Sequence, residues 1–148
     1  AVAVPEAPGA PPVALRPGRL REKERAGAAI CVLNHVGTVD ELEGFVRAAR
    51  SAGVTIPIIA GVAVYTDEPS ATTLAAFPGL NIDHRQIADV LASPDPVAAG
   101  IRAAVVEARA LLAIDGVVGV NLSGPASARG PEFGAQVKAE IGNAVQTS

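Results

Sequence analysis

Three unbroken apolar runs, AICVLN at 29–34, IPIIAGVAV at 56–64 and VVGVNLSG at 117–124, each end on polar residues, and each is followed by helical sequence. A strand with one wet face alternates apolar and polar residues, so an unbroken run marks a strand covered on both faces. A shorter run at 1–4 extends the pattern to four strands, at 1–4, 29–34, 56–64 and 117–122. Strands of this kind joined by helices are parallel, with right-handed crossovers. The expected fold class is α/β, built as strand, loop and helix repeated four times. Two architectures fit, a doubly wound sheet and part of a (β/α)₈ barrel. A complete barrel needs about 200 residues or more, and the 148 residues here are read as a single (β/α)₄ unit.

Local signals punctuate the helical stretches. Residues 5–18 are rich in Pro and Ala and read as a loop, after which RLREKERAGA forms a charged helix closing on Gly27. Thr38 and Glu41 have capping-box spacing, and Leu42, Phe45, Val46 and Ala49 line one face of the helix they open, which stops at Gly53. Ser70 can cap a short helix ended by Pro78 and Gly79, and a second short helix covers 85–91. Asp95 and Pro96 supply a cap and a first-turn proline for a long helix that closes on Gly116. Pro131 opens the last helix, with Phe133, Val137 and Ile141 one turn apart.

Composition narrows the partners. Twelve Lys and Arg against 15 Asp and Glu give a net charge of -3, and aromatic residues are only 3%, so neither a cationic field nor stacking platforms point to nucleic acid. No apolar run reaches the ~18–20 residues of a membrane helix, and the first residues lack a signal-peptide pattern, so the expected location is cytoplasmic with no membrane partner. Cys31, inside an apolar run, reads as a small buried hydrophobe.

In parallel α/β folds the ligand site lies where the strands' C-terminal ends meet the loops after them. Those ends carry Glu6; Asn34 and His35; Tyr65, Thr66, Asp67 and Glu68; and Asn121, Ser123 and Gly124. Each has a plainer reading. Asn34 can cap its strand as readily as contact a ligand. His35 has no second His or Cys nearby to share a metal, and His84 fits a polar turn. Asp67 and Glu68 suit acid/base chemistry, but acids before a helix also favour its N-terminus. Asn121 to Gly124 could present backbone N–H groups to a phosphate or carbonyl, or simply turn the chain. No GxGxxG, Walker loop, HExxH or nucleophile elbow is present.

Laid out in this order, the chain resembles the C-terminal half of the methylenetetrahydrofolate reductase family. The resemblance is carried by Arg19-Leu20-Arg21-Glu22-Lys23 leading through Ala26-Gly27-Ala28 to a strand ending in an amide, by Ile56-Pro57-Ile58-Ile59 with Gly61-Val62, and by Gly116-Val117 with Gly119-Val120-Asn121. It implies the C-terminal half of a TIM-type (β/α)₈ barrel and reduction of 5,10-methylenetetrahydrofolate to 5-methyltetrahydrofolate, with NAD(P)H as co-substrate and FAD as cofactor. The resemblance puts Asn34 where the family has a folate-contacting glutamine. It also puts Lys23 and Glu6 at the flavin, and Tyr65 and Asn121 at the mouth with the folate. Where the family has Tyr-Pro-Glu and then a histidine after the first strand, this chain reads Val4-Pro5-Glu6-Ala7-Pro8, matching at Pro5 and Glu6 but not at the aromatic or the histidine, so direct hydride transfer without flavin is a variant of the same reading. The alternative is a non-catalytic folate- or nucleotide-binding module. A half-barrel leaves two unpaired sheet edges, which implies self-association or a complementary half-barrel chain.

Overall fold

The structure, a computed structural model, describes residues 2–3, 12–35, 37–77 and 80–147. Four parallel strands form one sheet in the order β1 (Val2–Ala3), β2 (Cys31–Leu33), β3 (Ile58–Tyr65) and β4 (Val117–Ala126). Spatial order follows chain order. A doubly wound sheet reverses direction at a switch point, and none exists among these four strands.

The helices are α1 (Arg16–Arg25), α2 (Val39–Ser51), α3 (Glu68–Ala75), α4 (His84–Leu91), α5 (Pro96–Leu112) and α6 (Pro131–Gln146). Two starts differ from the sequence reading. α1 begins inside the stretch expected to be loop, preceded by one 3-10 turn at Val13–Leu15, because Pro17 occupies the first turn, where its missing N–H costs nothing. α3 is capped by Asp67, whose side chain accepts from the Ser70 N–H, so Ser70 is the returning member of a capping box and not the cap. His84, expected in a turn, is the first residue of α4. At α2 the Thr38–Glu41 capping box forms with both of its hydrogen bonds.

The main core joins Cys31, Leu33, Ile58, Ala60, Val62 and Val64 to Leu42, Val46 and Ala49 of α2, Ala104, Ala108 and Leu111 of α5, and Val137 and Ile141 of α6. A second cluster gathers Ala63 and Tyr65 with Ala71 and Leu74 of α3, Ile82, and Val90 of α4. Since successive strand residues point to opposite faces, the split of Val62 and Val64 from Ala63 and Tyr65 shows that both faces of β3 are covered at its C-terminal half. The unbroken apolar run has that cause.

At the opposite end of the sheet, Arg50 ties three elements together. Its guanidinium donates to the carbonyls of Val54 at 3.0 Å, Ile56 at 2.9 Å and Gly116 at 3.2 Å, fixing the entries to β3 and β4. Cys31 is fully buried, and burial pushes its thiol up from the ordinary value, in keeping with an inert core residue.

Candidate functional site

The register of the sheet places two of the expected residues in one row. Val32 pairs with Ile59, so Asn34 falls opposite Gly61, and Gly61 pairs on its other side with Asn121. Asn34 and Asn121 therefore flank a residue without a side chain, two strand spacings or about 10 Å apart. Asn34 is half-buried and Asn121 exposed, and neither amide hydrogen-bonds to a described residue. Each retains two donors and one acceptor. Gly61 is required there: a Cβ would come 2.8 Å from the His35 nitrogen and 2.9 Å from the Leu33 oxygen, so only glycine lets the end of β2 settle against β3.

Asn121 does not close its strand. β4 runs on to Ala126, because Gly124, at φ 91°, makes a bulge that shifts the register and lets the ladder resume beyond Pro125. Pro125 is tolerated because β4 is an edge strand of the described sheet. Ser123 donates its hydroxyl to the Val62 carbonyl at 3.1 Å and is thereby engaged within the sheet.

Tyr65, expected to line the mouth, is 5% exposed and belongs to the second hydrophobic cluster. Burial, reinforced by the charges of Glu107 and Asp83, pushes its hydroxyl well above the ordinary tyrosine value, so it stays neutral. Asp67 is likewise structural. One carboxylate oxygen accepts from the Ser70 N–H at 2.9 Å, the other from the Ser127 hydroxyl at 2.7 Å and the Ala128 N–H at 2.8 Å. Desolvation opposes ionisation, but these hydrogen bonds outweigh it and hold the carboxyl at about 2. Glu68 is exposed in the first turn of α3. Asp67 is thus committed to caps and loop contacts rather than free as a general acid.

Of the two residues assigned to the flavin, only Lys23 lies among the described residues. Glu6 lies outside the described residues. Lys23, in the last turn of α1, receives the Ala28 N–H on its carbonyl at 3.0 Å and acts electrostatically on Cys31, the first residue of β2.

His35 has a role that sequence spacing did not reveal. It is 3% exposed, with Nδ1 2.6 Å from the Asn81 carbonyl oxygen and Nε2 2.8 Å from Glu107 Oε1. Beside this pair, Gly37, Thr38 and Val39 at the start of α2, Asp83 and Gln86 of the α4 turn, and Arg102 and Val106 of α5 line an open cleft of about 390 Å³. The signal for Glu107 was a single acid in the stripe Ala99, Ala103, Glu107, where its neighbours one and two turns earlier are small and apolar. Among the described residues no group of three or more His, Cys, Asp or Glu could hold a metal ion, and no helix is long and apolar enough to cross a membrane.

No protein-family model and no curated protein sequence matches this chain.

Proposed function

We propose that this chain is the folate-holding, C-terminal half of a methylenetetrahydrofolate reductase-type (β/α)₈ barrel, acting in the reduction of 5,10-methylenetetrahydrofolate to 5-methyltetrahydrofolate by NAD(P)H, through FAD or directly. One observation carries the reading: two amides with uncommitted donors and acceptors, Asn34 and Asn121, flank Gly61 at one level of a sequentially ordered parallel sheet. A pterin edge alternates donors and acceptors, and an amide matches both. The four-strand order 1-2-3-4 is that of a barrel arc, and strands β1 and β4 at its edges leave backbone groups for a complementary half-barrel or a second copy to pair.

In this arrangement the chain's own residues bind and orient. Asn34 and Asn121 fix the heterocycle, and the chemistry resides in the hydride donor. The second reading, a folate- or nucleotide-binding module without catalysis, is favoured by the engagement of Asp67 in caps and loop contacts, which leaves the row without an acid. The experiment is calorimetric titration of the purified protein, with any chain that co-purifies, against 5-methyltetrahydrofolate, followed by assay of NAD(P)H oxidation with 5,10-methylenetetrahydrofolate. Binding with turnover supports the reductase reading, and binding without turnover supports the module. Absence of folate binding defeats the reductase reading and the folate form of the module, leaving only a nucleotide-binding module.

A further inference from the structure

Both ring nitrogens of His35 face acceptors. Nδ1 meets the Asn81 carbonyl at 2.6 Å and Nε2 meets a Glu107 carboxylate oxygen at 2.8 Å. A neutral imidazole carries one N–H and one lone pair, so one of these contacts would set lone pair against lone pair. Only the imidazolium donates to both. The Gly37 N–H also points at Nδ1, at 3.2 Å, and this one contact favours a lone pair there; the Asn81 carbonyl, closer at 2.6 Å, favours the proton.

The three partners belong to three separate parts of the chain. His35 follows β2, Asn81 lies between α3 and α4, 46 residues on, and Glu107 stands within α5, 72 residues on. We propose that protonated His35 is a latch: it clamps the α3–α4 connection and α5 onto the end of β2, and loss of its proton releases the connection and loosens the strand end that carries Asn34.

The surrounding charges favour the closed state. From α5 the ring faces Glu107, with Arg102, five residues earlier, lining the same cleft; from the α4 turn it faces Asp83; from α2, Glu41 approaches the Asn81 side chain at 3.4 Å; Tyr65 of β3, which feels the charges of Glu107 and Asp83, is neutral. Burial disfavours the charged ring, and the hydrogen bond and charge of Glu107, the Asn81 carbonyl and the charge of Asp83 outweigh it, so His35 stands above the ordinary histidine value. Two consequences attach to deprotonation. The Glu107 carboxylate loses a charge-assisted donor inside a site only 14% exposed, and the Asn81 carbonyl competes with it for the one remaining proton.

The test is nitrogen-15 NMR of the imidazole across the neutral and mildly alkaline range, in the whole protein with His84→Gln so that one histidine signal remains, alongside amide-exchange protection at residues 80–86. The expected result is both ring nitrogens protonated at neutral pH, and protection factors at 80–86, corrected for intrinsic exchange, that fall as His35 deprotonates. In Glu107→Gln the His35 midpoint drops by about one pH unit or more, and the loss of protection moves down with it. A ring that is singly protonated at neutral pH, or protection that is constant through the titration, overturns the latch. If Glu107→Gln fails to fold, the wild-type titration alone decides. No ligand enters these readouts, so their failure is separable from failure of the folate reading.

Discussion

The hydroxyl of Ser127 donates to Asp67 Oδ2 at 2.7 Å, joining the loop after β4 to the cap of the helix after β3, 60 residues away. The same carboxylate caps α3 through the Ser70 N–H and accepts the Ala128 N–H. One acid thus orders two adjacent loops at the C-terminal end of the sheet, the end on which the ligand side of a parallel α/β fold depends.

Asp67→Ala is expected to cost about 1–2 kcal/mol of stability at neutral pH, the range for loss of a helix cap. The sign of its pH dependence follows from a depressed native value. The contribution is present above the ordinary carboxyl value of 3.8 and is lost as pH falls toward about 2. Denaturant midpoints of wild type and variant should therefore converge on acidification. A gap that persists at the acid end would show that Asp67 acts through packing and not as an ionised acceptor.

Why this acid was ambiguous in the sequence is instructive. Asp67 and Glu68 precede a helix, and spacing alone allows either a cap or a catalytic pair; the choice depends on Ser127, which the sequence places far away and the fold brings near. The strand runs were legible because burial on both faces leaves a local trace in β2 and β3. The Thr38–Glu41 box, the Asp95 and Pro96 start of α5 and the Pro131 start of α6 were legible for the same reason, each being decided within one turn. The extent of β4 was not, because it depends on a bulge at Gly124 and on the strand's place at the sheet edge. The His35–Glu107 pair was hidden for the reason that hid Ser127: its partners are distant in the chain and neither belongs to a motif.

Gly61→Ala should destabilise the protein by about 1–3 kcal/mol, the usual range for forcing added carbon into a packed interior. The added carbon would meet backbone atoms at His35, Asn34 and Leu33, which cannot swing aside as a flexible side chain can. Thermal denaturation of the variant measures the cost. Gly142, half-buried on α6, is the control: beyond its own helix backbone nothing lies within 4 Å of an added carbon, and Gly142→Ala should be neutral or slightly stabilising. Equal effects at the two positions would mean that the strand end does not rest on Gly61.

Replacement of His35 by Gln yields a pH-dependent stability loss whose sign is fixed by a raised native value. Below the unfolded value near 6.5 the protonated pair contributes fully, and the contribution declines as pH rises through the higher native value. Urea unfolding of wild type and His35→Gln should accordingly differ most on the acid side of neutrality and least in alkali. A difference that widens with pH would mean that neutral histidine is the form the fold prefers.

Asn34→Ala separates binding from folding. The amide is half-buried and bonds to no described residue, so its removal should change stability by less than about 0.5 kcal/mol, as for a surface substitution away from special features. If it anchors a pterin edge with two hydrogen bonds, folate affinity should fall by about tenfold or more, since each such bond is worth about 1 kcal/mol or slightly above. Asn34→Gln lengthens the amide by one methylene toward the family's own side chain and should bind at least as well as wild type if the ligand sits where the family places it. Calorimetry with 5-methyltetrahydrofolate on the three proteins reads both effects at once. Unchanged affinity in Asn34→Ala would remove this residue from the site and leave Asn121 as the amide to examine, whereas a weakened Asn34→Gln would place the heterocycle closer to β2 than in the family arrangement.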